Sequence, residues 1–145
     1  MGDRSTSLRL AAQRVLHDLT VQRLVQRVYE QRIISNVERG AYVECMIELA
    51  LRERHPAWRL TDTWDPWDLE DGKTGARIEI KQSAAWNPFS KRPGGGKFNI
   101  EPHSGYFAKD GAWIRTPLQR HADLYVFAWH SEEDPDIADH RRPDQ

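Results

Sequence analysis

The sequence predicts an α/β (α+β) fold, with a mixed central sheet flanked by helices. Three patterns predict it. Apolar residues recur at three- and four-residue steps in the first third of the chain, polar and apolar residues alternate in the middle, and a near-continuous apolar run lies near the end. The 145 residues suit one domain, and 39% hydrophobic with 30% charged residues permits a packed core.

Two helices are predicted in the first third of the chain. The apolar spacing from Leu8 to Val28 predicts a long amphipathic helix over residues 8–31. A second helix over residues 39–54 is apolar around most of its circumference, so we expect it to be largely buried. It ends before Pro56, because the residue that precedes a proline disfavours helix.

Strands are predicted in the remaining two thirds of the chain. Residues 57–64 form a strand candidate, and residues 66–84 form a hairpin candidate whose turn contains Asp71-Gly72 and Gly75. The apolar run over residues 122–130 predicts a strand at the centre of the sheet. The segment between them, residues 87–117, is rich in proline and glycine and is interpreted as a long loop with at most one short strand.

The hairpin has one register that separates charged from apolar side chains. That register pairs Glu70 with Arg77, Leu69 with Ile78, Asp68 with Glu79 and Trp67 with Ile80. A slip of one residue would destroy the separation. Glu70 and Arg77 make a favourable pair, whereas Asp68 and Glu79 are like charges on opposite strands and need a cation between them.

The charged face predicts a metal site. Lys81 follows Glu79 on the same face and supplies one positive charge, whereas a divalent ion would supply two. Carboxylate ligands without nearby histidine or cysteine favour Mg²⁺, with Mn²⁺ as the alternative. Two acids, a divalent ion and a lysine suit hydrolysis of a phosphodiester, because the ion activates water and the ammonium neutralises developing charge.

These residues in this order resemble the PD-(D/E)XK nuclease superfamily, which has the restriction-endonuclease-like fold. The matching parts are Asp68 in "WDL", Glu79 and Lys81 in "IEIKQ", the upstream helix "GAYVECMIELAL" and the downstream strand "ADLYVFAWH". The resemblance covers roughly residues 38–130. It implies that Asp68, Glu79 and the backbone carbonyl of Ile80 bind Mg²⁺, that Lys81 positions the attacking water, and that the product carries a 5′-phosphate.

The resemblance also implies that a helix glutamate assists the metal. Glu44 is the first candidate and Glu48, one turn later, is the second. The aspartate has an alternative too, since the sequence reads Asp65-Pro66-Trp67-Asp68; strand parity and the register favour Asp68 over Asp65. No Gln-x-x-x-Tyr pattern follows Lys81, which argues against the RecB-like exonuclease branch.

Nucleic acid is the expected partner, with DNA favoured over RNA. The candidates for contacts to it are Gln82, next to the predicted site, and Lys91, Arg92 and Lys97 on the glycine-rich loop. The N-terminal helix is the expected contact if the chain forms a homodimer, as cleavage of both DNA strands often requires. The glycine-lysine stretches lack the spacing of a nucleotide-binding P-loop.

Composition restricts the class of protein and its compartment. A net charge of −1 argues against a strongly basic nucleic-acid coat protein, and the single cysteine, Cys45, excludes a disulfide framework. Neither a signal sequence nor a transmembrane run is predicted, so a cytoplasmic location without membrane contact is expected.

The predicted organisation is one domain in three parts. Residues 1–37 form an N-terminal helical segment, residues 38–132 the nuclease-like core, and residues 133–145 a polar tail whose abrupt end suggests that the chain is truncated. The predicted function is a metal-dependent nuclease. The alternative is a catalytically silent domain of the same fold that binds nucleic acid or a protein partner.

Overall fold

The structure is a computed structural model that describes residues 3–61, 64–108 and 110–144. It contains two helices and six strands in these residues. In chain order they are α1 (Asp3–Tyr29), α2 (Asn36–Arg52), β1 (Trp58–Leu60), β2 (Leu69–Asp71), β3 (Arg77–Ala84), β4 (His103–Phe107), β5 (Trp113–Gln119) and β6 (Leu124–His130). The predicted mixture of helix and strand is therefore confirmed.

The main sheet has four strands in the order β1-β2-β3-β6, and β4 pairs with β5 in a separate two-stranded sheet. The pairings β1–β2 and β2–β3 are antiparallel, and β3–β6 is parallel, so the main sheet is mixed as expected. Ser35 caps the start of α2, where its hydroxyl accepts a hydrogen bond from the N–H of Glu38. Helix α2 packs across β1 and β3.

The core lies between α2 and one face of the main sheet. Its buried members are Val43 from α2, Leu69 from β2, and Ile78 and Ile80 from β3. Alternate residues of β3 point into this core, because successive side chains of a strand lie on opposite faces. The intervening residues Arg77, Glu79 and Lys81 therefore lie on the other face.

The β2–β3 hairpin has the predicted register at the positions where the two strands pair. Leu69 pairs with Ile78 and Glu70 with Arg77. The turn closes as expected, with the N–H of Asp71 donating to the carbonyl of Ala76 at 2.9 Å and Gly75 at a φ of +72°. Glu70 and Arg77 thus lie on opposite strands as predicted, and the Glu70 carboxylate forms an ion pair with Arg59 of β1 at 3.1 Å.

The ladder ends at Leu69, so the pairings predicted for Asp68 and Trp67 lie beyond it. Trp67 does not join the apolar face with Leu69. It lies instead under the guanidinium of Arg77, at 3.8 Å, and edge-to-face against Tyr106 of β4. Trp67 is buried, but it packs towards the β4–β5 hairpin and not among the residues that face α2.

Two predictions of burial were wrong. Helix α2 is not buried around its circumference, since Val37 and Leu49 are 83% and 63% exposed and the sheet covers one side only. Strand β6 is not central but lies at the edge of the main sheet, where Leu124 and Phe127 are largely exposed. An apolar run indicates a strand but does not place it within the sheet.

The helical layer expected on the second face of the sheet is not formed by the described residues. The proline-rich segment and the β4–β5 hairpin lie there instead. Phe98 packs edge-to-face on Phe127 of β6 with ring centroids 5.1 Å apart, and Gly96 lies against Trp129. This part of the chain was predicted to contain at most one short strand, whereas it forms the pair β4 and β5.

Helix α1 extends away from the sheet, and its described side chains between positions 6 and 27 are all exposed. It meets α2 at its C-terminal end, where the rings of Tyr29 and Tyr42 lie tilted to each other with centroids 5.8 Å apart. Among the described residues, no helix combines the length and apolar character that crossing a bilayer requires.

The C-terminal segment is packed, although its composition predicts a polar tail. Ala138 is fully buried, and His140 is 5% exposed. His140 binds the loop between the two helices twice: its N–H donates to the carbonyl of Arg32 at 2.8 Å, and its Nδ1 accepts from the N–H of Ile34 at 3.0 Å. The segment therefore ties the end of β6 to the start of α2.

Candidate active site

Asp68 lies immediately before β2 and is held by the backbone of β3. Its N–H donates to the carbonyl of Ile78 at 2.9 Å, and its Oδ2 accepts from the N–H of Ile80 at 2.5 Å. This carboxylate is thereby fixed at the start of β2, next to the backbone of Ile80, which is where the resemblance expects a further ligand. The side chain of Ile80 itself belongs to the core.

The electrostatic surroundings of Asp68 are unfavourable for a carboxylate. The pKa of Asp68 is raised to about 7, chiefly by burial; the charges of Glu79 and Glu44 also raise it, whereas the hydrogen bond from the Ile80 N–H and the charge of Lys81 lower it. Three carboxyl groups from α2, the segment before β2, and β3 thus act on one another. An additional cation would relieve this repulsion.

Glu79 and Lys81 form an ion pair on the charged face of β3. Their side chains are 18% and 32% exposed, respectively, so the pair is partly screened from solvent. Both belong to the same strand two residues apart, as the alternation of charged and apolar residues predicts. In this arrangement the Glu79 carboxylate is directed at Lys81.

The helix contributes Glu44 rather than Glu48. Burial, followed by the charge of Glu79, raises the pKa of Glu44, and Lys81 opposes the shift. Glu44 also acts on Asp68. Glu48 forms an ion pair with Arg52 at 3.1 Å and is not among the groups that shift the pKa of Asp68. The structure therefore favours the first candidate over the second.

The donor set fits a hard divalent cation in its chemistry. Asp68, Glu79 and Glu44 offer only oxygen ligands, which Mg²⁺ and Mn²⁺ prefer, and their mutual repulsion favours a positive ion. In the described ranges, however, the side chains are not positioned so that three Asp, Glu, His or Cys residues converge closely enough to hold a metal. Metal binding by Glu79 would compete with its ion pair to Lys81.

Gln82 occupies a structural position between β3 and α2. Its Oε1 accepts from the Nε of Arg39 at 2.6 Å, and its Nε2 donates to the backbone carbonyl and side chain of Asn36 at 2.9 and 3.1 Å. The contact to nucleic acid predicted for Gln82 would compete with these hydrogen bonds.

The basic residues of the glycine-rich loop are exposed. Lys91, Arg92 and Lys97 all face solvent. The loop is anchored near them, because the N–H of Gly94 donates to the carbonyl of Ala85 at 2.8 Å and a Cβ at Gly96 would lie 3.1 Å from the ring of Trp129. These cations are thus carried on a segment that is attached to the ends of β3 and β6.

A cavity of about 30 Å³ adjoins Glu79 and Lys81, and its other walls come from residues that the sequence analysis did not connect with the site. They include Asn99, Glu101, His103, His121 and Tyr125. His103 is exposed, yet it borders this cavity. The pairing of β4 with β5, which brings His103 and His121 together, is a long-range contact, and local sequence patterns carry no signal for it.

Comparison of the chain with family models, with curated proteins and with solved structures finds no significant match.

Proposed function

We propose that this protein is a Mg²⁺-dependent nuclease that hydrolyses phosphodiester bonds, with DNA as its substrate and Mn²⁺ as an alternative ion. The observation that carries the proposal is that Asp68, Glu79 and Glu44 act electrostatically on one another, with Lys81 paired to Glu79 on the interior strand β3 of a mixed sheet. The order of elements supports it as well: a helix, an antiparallel hairpin and a later parallel strand are the parts on which the resemblance to PD-(D/E)XK nucleases was based.

In this proposal the residues have distinct roles. Asp68, Glu79 and the carbonyl of Ile80 would hold the ion, and Glu44 would bind a second ion or orient water. The chemistry that Mg²⁺ supplies when bound is polarisation of the phosphate and a lower pKa for the attacking water. Lys81 positions that water and stabilises the negative charge that grows on the phosphate oxygens.

The loop that is attached to β3 and β6 offers contacts for a substrate backbone. Lys91, Arg92 and Lys97 are exposed cations, which bind phosphates without regard to sequence. The net charge of −1 means that binding depends on such a local patch rather than on the charge of the whole chain. Cys45 is free and exposed, which suits the reducing cytoplasm that we expect as the compartment.

The test is a cleavage assay on plasmid, linear duplex, single-stranded DNA and RNA. Wild type should cleave DNA with Mg²⁺ or Mn²⁺ and stop when EDTA is added. Lys81→Ala should lose at least about 100-fold in rate, because it removes a charge that stabilises the transition state. Lys73→Ala, which alters an exposed lysine in the β2–β3 turn, is the matched control and should cleave normally.

A catalytically silent binding domain is the second candidate. The observation that favours it is the orientation of Glu79 towards Lys81, which leaves no three ligands converging in the described part of the chain. Such a domain would bind nucleic acid or a protein partner without cleaving it. Folded wild-type protein that cleaves none of the four substrates, yet binds duplex DNA and loses that binding in Arg92→Ala, would support this candidate and contradict the first.

A further inference from the structure

A second cavity, of about 170 Å³, lies between α2, the ends of β3 and β6, and the C-terminal segment. Four of the residues that line it carry basic nitrogens: Arg39, His130, His140 and Arg142. No aspartate or glutamate among the described residues lines it. The volume is several times the roughly 30 Å³ that a water molecule occupies in the liquid, so a small anion would fit.

Arg39 is a buried cation without a counter-ion in the described structure. It is 2% exposed, and all the acceptors of its hydrogen bonds are neutral. They are Gln82 Oε1 at 2.6 Å, Asn36 Oδ1 at 2.8 Å, Asn87 Oδ1 at 3.1 Å and the carbonyl of Ile34 at 3.4 Å. Burial of an unpaired charge is costly, so an anion in the adjoining cavity would stabilise this arrangement.

One ring nitrogen of each histidine lacks a hydrogen-bond partner: a donor on His140 and an acceptor on His130. His140 accepts the Ile34 N–H at Nδ1, so the proton of its neutral ring is on Nε2, which is buried and unpaired. His130 donates from Nε2 to the carbonyl of Asp139 at 2.9 Å, which leaves its buried Nδ1 as an unpaired acceptor. The ring centroids are 4.8 Å apart and both residues line the cavity, so a small ligand that displaces the groups now covering the two nitrogens would reach both.

We propose that this cavity binds a phosphate-type oxyanion that retains one proton. The anion would accept hydrogen bonds from His140 Nε2–H and from the guanidinium groups of Arg39 and Arg142, and its own P–O–H would donate to His130 Nδ1. A bridging water could pair with both imidazoles, but it would not neutralise Arg39. The anion would compete with Asp144 for Arg142, which lines the cavity where it opens to solvent, because Asp144 pairs with Arg142 at 2.6 Å.

Two sources share this chemistry: free inorganic phosphate and the terminal phosphate of a nucleic-acid strand. The site contains none of the residues proposed for cleavage, and it needs no metal. Binding should therefore survive in EDTA and in Asp68→Asn, so that failure of this inference and failure of the nuclease proposal are distinguishable.

The experiment is calorimetric titration in EDTA at constant ionic strength and neutral pH. The ligands are inorganic phosphate, sulfate and chloride, together with a tetranucleotide with and without a 5′-phosphate. Phosphate should bind with one-to-one stoichiometry and at least about fivefold more tightly than sulfate, since sulfate has no proton to donate to His130. Tighter binding of the 5′-phosphorylated tetranucleotide than of the unphosphorylated one would identify a strand terminus as the source, and equal binding would identify free phosphate.

Two variants and a control locate the site. Arg142→Gln alters an exposed residue at the mouth and should weaken phosphate at least about tenfold, because charge-assisted hydrogen bonds are lost. His130→Gln should reduce the preference for phosphate over sulfate. Arg54→Gln, at an exposed arginine beyond the end of α2, should bind like wild type.

Three results would overturn the proposal: no saturable phosphate binding by the folded wild type, equal binding of phosphate and sulfate, or Arg142→Gln that binds as tightly as Arg54→Gln.

Discussion

Asp68 is a carboxyl group whose protonation state should depend on whether a cation is nearby, because burial and two neighbouring carboxylates disfavour its charged form. Its pKa of about 7 in the metal-free protein is far above the ordinary value of 3.8, chiefly because it is buried. The folded chain therefore binds this proton more tightly than the unfolded chain, and the contribution of Asp68 to stability declines as pH rises from about 4 to about 7.

Asp68→Asn should remove that decline. We expect the variant to be more stable than wild type at pH 8 in EDTA, by on the order of 1–2 kcal/mol once solvent screening of the partly open site is allowed for. The difference should shrink towards pH 4.5, where Asp68 is protonated in the folded chain. Urea unfolding at both pH values measures it, and a difference that does not depend on pH would contradict the electrostatic description of the site.

At the scale of single residues, the sequence predicted the charged positions better than the aromatic ones. Glu79 and Lys81 share a face because the two-residue period of a strand requires it, and Glu44 reaches the same cluster from α2. The position of Trp67 was not predictable in this way. It depends on the end of the ladder at Leu69 and on packing against Tyr106, which is distant in sequence.

At the scale of elements, the two hairpins differ in how strongly the sequence specifies them. In β2–β3 the alternation of charged and apolar residues and the glycine turn agree on one register. In β4–β5 the same kind of turn is present at Asp110-Gly111, with Gly111 at a φ of +82°, but the flanking prolines and glycines favour a loop interpretation. The aromatic contacts that stabilise β4–β5, such as Phe107 on Trp113 at 4.9 Å, exist only after pairing.

Substitution of Gly105 by alanine tests the β4–β5 pairing. A Cβ at this position would lie 2.4 Å from the carbonyl oxygen of Ile114 and 2.6 Å from the ring of Trp113, so the backbone would have to shift. Gly105→Ala should destabilise the protein by roughly 1–3 kcal/mol and alter tryptophan fluorescence.

Gly95→Ala is the matched control, because nothing lies within 4 Å of its Cβ position. Urea unfolding of both variants, followed by fluorescence, provides the comparison. If Gly105→Ala proved as stable as Gly95→Ala, the two strands would not be paired as described.

At the scale of the whole molecule, α1 is the largest departure from a closed domain. Its exposed apolar residues include Val15, Leu19 and Leu24, which are 59%, 56% and 58% exposed. Exposed apolar surface of this extent is typical of an interaction site, and a homodimer through α1 remains the prediction from the sequence.

Sedimentation velocity tests that prediction. Wild type should associate as its concentration rises, because pairing of two α1 helices would bury apolar surface. Leu19→Glu should reduce association, whereas Gln22→Glu, which makes the same change of charge at an exposed polar residue, should not. A wild type that is monomeric at every concentration would exclude α1 as a contact between copies.

The central claim is that Asp68, Glu79 and Glu44 form a site for a divalent cation, and direct titration with Mn²⁺ by calorimetry tests it most simply. Wild type should bind Mn²⁺ and Asp68→Asn should bind at least about tenfold more weakly, while Glu48→Gln, which alters the helix acid that pairs with Arg52, should bind like wild type. Absence of Mn²⁺ binding by folded wild type, or equal binding by Asp68→Asn, would contradict the claim.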